Sequence, residues 1–235
     1  MQYTKKMINR AEIESCRLKH EDVTDSIKTE VLVHGFFRSK RDMRYLEEKL
    51  KERGYRVFAP TLPAIFGNVR ECSDLLTQMI EENVLEEGVM HFVGHSMGGL
   101  VIRDYLSRRI VKKLGRVVMM GTPNGGSPYA NLLLKIPFLK RILKALPDIE
   151  MPGLDIDAPL NNPSPDIGII IGETDILRKC LIPGDHDGLV GAASVRRITA
   201  IDELRVPFCH ERIHWRPDTV EAVVSFLETG KFNRI

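Results

Sequence analysis

Met90-His91-Phe92-Val93-Gly94-His95-Ser96-Met97-Gly98-Gly99-Leu100 is the stretch on which the fold turns. An apolar strand pattern runs into Gly-x-Ser-x-Gly and emerges as a helical pattern, the strand–turn–helix context of a nucleophile elbow. A serine on so sharp a turn has strained backbone dihedrals, so the residues two positions to either side must be small. Gly94 and Gly98 meet that need. The helix that starts behind Ser96 aims its first N–H groups at an oxyanion developing beside the serine. Ser96 is therefore the candidate nucleophile.

Outward from this segment, short β-branched runs alternate with longer helical patterns, as in a parallel sheet covered by helices. Strands are expected at Glu30–His34, Arg56–Pro60, Met90–Gly94, Arg116–Gly121, Ile167–Gly172 and Arg205–Phe208. Most are nearly continuous in Val, Ile, Met and Phe, as strands buried on both faces should be. Helices are expected at Lys40–Arg53, Arg70–Glu86, Gly98–Leu114 and Pro217–Thr229. Pro217 suits a first helical turn, and Gly54 and Gly230 sit where a left-handed residue ends a helix. The predicted fold is α/β, with a mostly parallel central sheet and helices on both faces. One domain spanning residues 1–235 is expected, with residues 1–27 unplaced.

The long stretch 124–165 interrupts the alternation. Its centre, SPYANLLLKIPFLKRILKALP (127–147), reads as two short helices broken at Pro137. In the second, Phe138, Leu139, Ile142, Leu143 and Leu146 share one face, and Lys140, Arg141 and Lys144 share another. Insertions of this kind are usually functional or flexible. The cluster Arg103, Arg108, Arg109, Lys112 and Lys113 reads as a solvated helix face.

Composition narrows the classes. The chain has 235 residues, 43% hydrophobic and 28% charged, the balance of an ordinary globular protein. A net charge of +2 gives no reason to expect nucleic acid. Cys16, Cys72, Cys180 and Cys209 are scattered without CxxC or zinc spacing, so reduced thiols and a cytoplasmic location are expected and metal binding is not. The opening 22 residues are charged throughout and carry no secretory pattern. No apolar run approaches the roughly 20 residues that span a bilayer. GDHDG at 184–188 has part of a calcium-loop pattern but lacks the full ligand ladder.

These segments together resemble the α/β-hydrolase superfamily and, within it, lipase- and esterase-like serine hydrolases. The resemblance rests on HGF at 34–36, GHSMGG at 94–99, GTPNGGS at 121–127 and DGLV at 187–190. His210, seven residues before the Pro217 that opens an amphipathic helix, completes it. It covers roughly residues 28–233.

The family implies an oxyanion hole from the backbone N–H groups of Phe36 and Met97, whose individual loss typically costs about 100- to 1,000-fold. His34 is expected to order its loop. The chain order in this fold is Ser, acid, His. Asp175, Asp185 and Asp187 compete for the acid: Asp175 lies shortly after a strand, whereas Asp187 opens the Asp-Gly-Leu-Val that lipase-like members use, and is preferred. His210 and His214 compete for the base, and the family spacing to Pro217 favours His210. His20, His91, His95 and His186 read as structural or solvated.

The resemblance implies ester hydrolysis through an acyl-enzyme on Ser96, Asp187 and His210, without a cofactor. It puts the 124–147 segment where the family carries its lid, with Leu133, Phe138 and Ile142 as candidate substrate contacts. The lid's apolar face either packs on the domain or meets acyl chains at a lipid surface, in which case the protein is peripheral to a membrane. The expected partner is a small-molecule ester or lipid; oligomeric state is not legible. The same triad serves thioester or amide cleavage and acyl transfer. A silent scaffold or a membrane-surface adaptor would keep the fold without the chemistry.

Overall fold

The computed structural model describes residues 28–84, 88–151, 153, 165–173 and 184–234. Strands β1 (Lys28–Val33), β2 (Arg56–Phe58), β3 (Val89–His95), β4 (Leu114–Met120), β5 (Ile167–Gly172) and β6 (Asp202–Val206) form one sheet. Their order is β2-β1-β3-β4-β5-β6, and every pairing is parallel. Helices are α1 (Arg44–Glu52), α2 (Val69–Asn83), α3 (Met97–Arg108), α4 (Pro128–Leu134), α5 (Leu139–Ile142), α6 (Ala192–Val195) and α7 (Pro217–Thr229).

The pleat sorts the strand side chains into two cores. Val31, Val33, Phe92, Val117, Met119, Ile169 and Ile171 face α2, α3 and the 124–149 insertion. Leu32, Val93, Val118, Met120 and Ile170 face the other way, against Leu46 and Leu50 of α1 and Val220, Val223 and Phe226 of α7. Apolar runs without polar alternation are the consequence, because both faces are covered. All strands point the same way, so the chain leaves each of them at one edge of the sheet, where α/β proteins gather their working residues.

Several elements are bounded differently from the sequence expectation. The last strand is Asp202–Val206 rather than Arg205–Phe208. It lies at the sheet edge, where charged side chains are at home and apolar pattern is weak, and Pro207 lacks the N–H to extend a ladder. The helix expected over Gly98–Leu114 stops at Arg108, with Arg109 extended and Leu114 already in β4. The helix expected from Lys40 opens with a 3-10 turn, Lys40–Met43, capped by Ser39 and Asp42, before α1 begins. The helix expected over Arg70–Glu86 runs Val69–Asn83, and its last expected residues lie outside the described ones.

The insertion is packed rather than detached. Ala130, Leu143, Ala145, Leu146 and Ile149 belong to the same core as α2 and α3. Asp148 Oδ2 accepts from the Val69 N–H at 2.7 Å, and Lys144 pairs with Glu71 at 3.0 Å. Phe138 and Ile142, by contrast, stand exposed. The expected five-residue apolar face is therefore split, since α5 is only four residues long.

The far end of the sheet carries an electrostatic liability. Glu30 of β1 is fully buried, and neither carboxylate oxygen has a hydrogen-bond partner among the described residues. Burial pushes its pKa well above the usual carboxylate range, and the nearby Lys28 offsets only part of that. The folded state therefore holds a proton that the unfolded chain releases. The associated stability is complete below the unfolded pKa, about 4.3, and is lost as pH rises toward the raised folded value. Glu30→Gln is expected to be more stable than wild type at pH 8, by about 1–3 kcal/mol, with the difference closing near pH 4. Urea denaturation at the two pH values tests this; an equal difference at both would remove the titration argument.

Candidate active site

Ser96 closes β3 and opens α3 in a backbone conformation, φ 55 and ψ −127, that ordinary residues avoid. Its N–H donates to Met120 O at 2.8 Å, which ties the turn to the neighbouring strand. The turn leaves no room beside it. A Cβ on Gly98 would meet His34 O at 2.8 Å, and one on Gly35 would meet Ser96 Cβ at 2.9 Å. The loop after β1 therefore passes directly against the serine. Met97, as the first residue of α3, has an N–H with no carbonyl one turn back to receive it. Phe36 lines the cavity beside Ser96.

The loop after β1 carries strain of its own. Phe37 has φ 57, and with Ser96 it is one of two non-glycine residues of positive φ among the described residues. Such conformations persist where surroundings enforce them and gather at functional sites. Here the Arg38 N–H donates to Gly35 O at 3.2 Å and closes the turn. His34 holds the base of the loop: its Nδ1–H donates to Gly35 O at 2.9 Å, and its Nε2 accepts from Leu62 N–H at 2.9 Å. It is a loop-ordering residue, as expected.

His210 lies in the loop after β6 and Asp187 in the loop leading from β5. The Ser96 hydroxyl donates to His210 Nε2 at 2.9 Å, and His210 Nδ1–H donates to Asp187 Oδ2 at 2.7 Å. The second carboxylate oxygen accepts from the N–H groups of Leu189 at 3.0 Å and Val190 at 2.8 Å. A backbone bond, His210 N–H to Asp187 O at 2.9 Å, fastens the two loops together. Both side chains are buried. Burial pulls the His210 pKa down, but the Asp187 charge and hydrogen bond outweigh it, and the net shift is upward.

The other candidates stand elsewhere. Asp185 is exposed and pairs with Arg205 at 3.2 Å. Asp175 and His20 lie outside the described residues. His214 is buried and stacks on His95 with ring centroids 4.0 Å apart. Neither of its nitrogens has a hydrogen-bond partner among the described residues, and burial pushes its pKa down to about 4. His95, whose own pKa burial holds well below the usual histidine value, donates from Nε2 to His210 O at 3.0 Å. This support for the His210 loop was missed in the sequence, where His95 is only the variable residue of Gly-x-Ser-x-Gly. His91 accepts the Arg116 N–H at 2.9 Å, and His186 accepts the Gly188 N–H at 3.0 Å.

A cavity of about 400 Å³ opens onto Ser96 and His210. Leu133, Leu146, Ile149, Leu189 and Val190 give it an apolar wall, and Phe36, Phe37, Arg38 and Glu211 also line it. Leu133 thus reaches the cavity, while Phe138 and Ile142 do not line it. Ser127, the N-cap of α4, donates its hydroxyl to Leu189 O at 2.6 Å and joins the insertion to the Asp187 loop. Arg103, expected on a solvated face, is buried and donates to Asn124 Oδ1 at 3.0 Å, which steadies the start of the insertion. Among the described residues no group of three or more His, Cys, Asp or Glu side chains is arranged to hold a metal ion. No helix among them is long and apolar enough to cross a membrane.

Solved structures share this architecture. Lipase BlEst2 of Bacillus licheniformis, in its mature form, superposes with a TM-score of 0.66 at 18% identity, over 87% of this chain and 92% of that one. The metagenomic carboxyl esterase MGS0156 gives 0.61 at 17% identity, over 80% of this chain and 65% of its own. Phospholipase PlaB of Legionella pneumophila gives 0.52 at 15%, over 72% of this chain and 45% of its own. At such identities the likeness is one of fold. No curated protein matches the chain in sequence. The sequence profile of the alpha/beta hydrolase family, however, matches residues 31–223, from β1 through the elbow at Ser96 and into α7, and the chain belongs to that family.

Proposed function

We propose that the protein is a serine hydrolase that cleaves carboxylic esters with apolar acyl groups, using Ser96, His210 and Asp187 as its catalytic triad. The observation that carries the reading is the hydrogen-bonded chain from Ser96 through His210 to Asp187, opening on a cavity with an apolar wall. His210 takes the serine proton as Oγ attacks the acyl carbonyl. The N–H groups of Phe36 and Met97 stabilise the resulting oxyanion. Collapse breaks the ester C–O bond, and His210 returns the proton to the departing alcohol. Water, deprotonated by the same imidazole, then hydrolyses the acyl-enzyme.

The acyl chain lies along Leu133, Leu146 and Ile149 in this reading. Exposed Leu132, Ile136, Phe138 and Ile142, with Lys135, Lys140 and Arg141 among them, support peripheral contact with a lipid surface that presents such substrates. Labelling by a fluorophosphonate probe, with turnover of p-nitrophenyl esters of graded chain length, tests the function. Each methylene that enters the cavity contributes about 0.8 kcal/mol, roughly fourfold in kcat/KM. Leu133→Trp is expected to move the optimum to shorter chains and to leave the acetate ester least affected. A folded wild type that neither labels nor turns over any ester in the series would overturn the proposal.

A further inference from the structure

The walls around Ser96 are of two kinds. The insertion and the Asp187 loop supply the apolar one. The turn after β1 and the His210 loop supply the other, where Arg38 and Glu211 come to the lining beside Phe36 and Phe37. Among the described residues that line the cavity, Arg38 is the only Lys or Arg. Its guanidinium makes one hydrogen bond among the described residues, to Asp42 Oδ1 at 3.4 Å, near the limit for such a bond. The other Asp42 oxygen is occupied by the Ser39 N–H at 3.2 Å. Most of the five donors of a guanidinium are therefore left for another acceptor, on a side chain that is 35% exposed.

The path of the proton fixes which part of a substrate meets this wall. His210 protonates the leaving alcohol, so the alcohol departs on the His210 side, away from the apolar wall that takes the acyl chain. Arg38 bears on that side. Burial lowers the pKa of His95 and His214, Asp187 outweighs burial at His210, and the Arg38 charge opposes protonation of all three.

We propose that Arg38 is a specificity-determining residue that selects esters whose alcohol portion carries an anionic group. A carboxylate, sulfonate or phosphate would each accept from the guanidinium fork. The inference rests on the ester-hydrolase reading above and adds the charge of the substrate to it.

The test compares 4-(octanoyloxy)benzenesulfonate and 4-(octanoyloxy)benzoate with the uncharged 4-(octanoyloxy)benzenesulfonamide, each rate divided by the uncatalysed rate of the same ester. Wild type is expected to favour both anionic esters in kcat/KM by about tenfold. The preference is expected to collapse in Arg38→Gln, to persist in part in Arg38→Lys, and to shrink with added salt. If the benzoate gains more than the sulfonate, the fork reads a planar carboxylate; equal gains mean that charge alone is read, and both support the assignment. An active wild type without the preference, or an equal preference in Arg38→Gln, overturns this inference and leaves the hydrolase standing. Inactivity of folded wild type toward all three esters removes the hydrolase reading and this inference with it.

Discussion

Ester turnover is expected to fall by about a millionfold in Ser96→Ala, to the level left by the oxyanion donors and binding alone. Ser127, which also lines the wall, has its proton committed to Leu189 O at 2.6 Å and is not free to replace it. Alanine keeps the Cβ, so the strain at φ 55 is unchanged and the fold should be retained. Fluorophosphonate labelling should vanish together with turnover, at an unaltered melting temperature. Turnover within tenfold of wild type in the folded variant would mean that another group is the nucleophile.

The second large effect is expected in Asp187→Asn, and it follows from which oxygen does what. Oδ1 accepts two backbone N–H bonds, from Leu189 and Val190, and Oδ2 accepts from His210. An asparagine keeps its amide oxygen against those two donors, so its NH2 faces His210 Nδ1. The imidazole then turns to the tautomer with its proton on Nε2 and can no longer accept from Ser96. A loss of about ten-thousandfold in kcat is expected, as for such a change in a comparable triad. The pH profile should move as well. His210 must be neutral to act, and its pKa is raised from 6.5 in the folded protein, so wild-type kcat/KM should rise with pH through a midpoint above that value. Without the Asp187 charge that midpoint should fall. The expected loss with an unmoved midpoint in the residual activity would assign the raised His210 pKa to some other neighbour.

The fold was legible where chemistry and packing impose the same pattern. The β3–α3 segment announces itself because a strained serine needs small neighbours and a strand buried on both faces needs an unbroken apolar run. The edge strand β6 was misplaced because neither demand acts there: Asp202 and Glu203 pair in the ladder while their side chains meet water and arginines. The spacing to Pro217 favoured His210 over His214, but the residues around them carry no reason for it. Both follow β6 closely, and the difference lies in a long-range fact, that His210 reaches Asp187 and Ser96 while His214 stacks behind on His95. Arg103 was read as solvated from its basic neighbours, whereas its partner, Asn124, lies on the far side of β4 in sequence. Amphipathic reading likewise assumed one continuous face for 138–146, and a helix of four residues cannot carry one.

The hydroxyl of Ser127 grips the carbonyl of Leu189 two residues beyond Asp187, so the part of the chain that bounds the proposed acyl chamber also holds the proposed acid. Chamber and acid are thereby inherited as one unit. An insertion of different length, whether arising by drift or grafted by an engineer, would tug on the 187–190 loop before it reached the substrate. Altered chain-length preference in this scaffold should therefore arrive together with altered turnover, and variants that change the one while sparing the other will be those that keep a hydroxyl at 127.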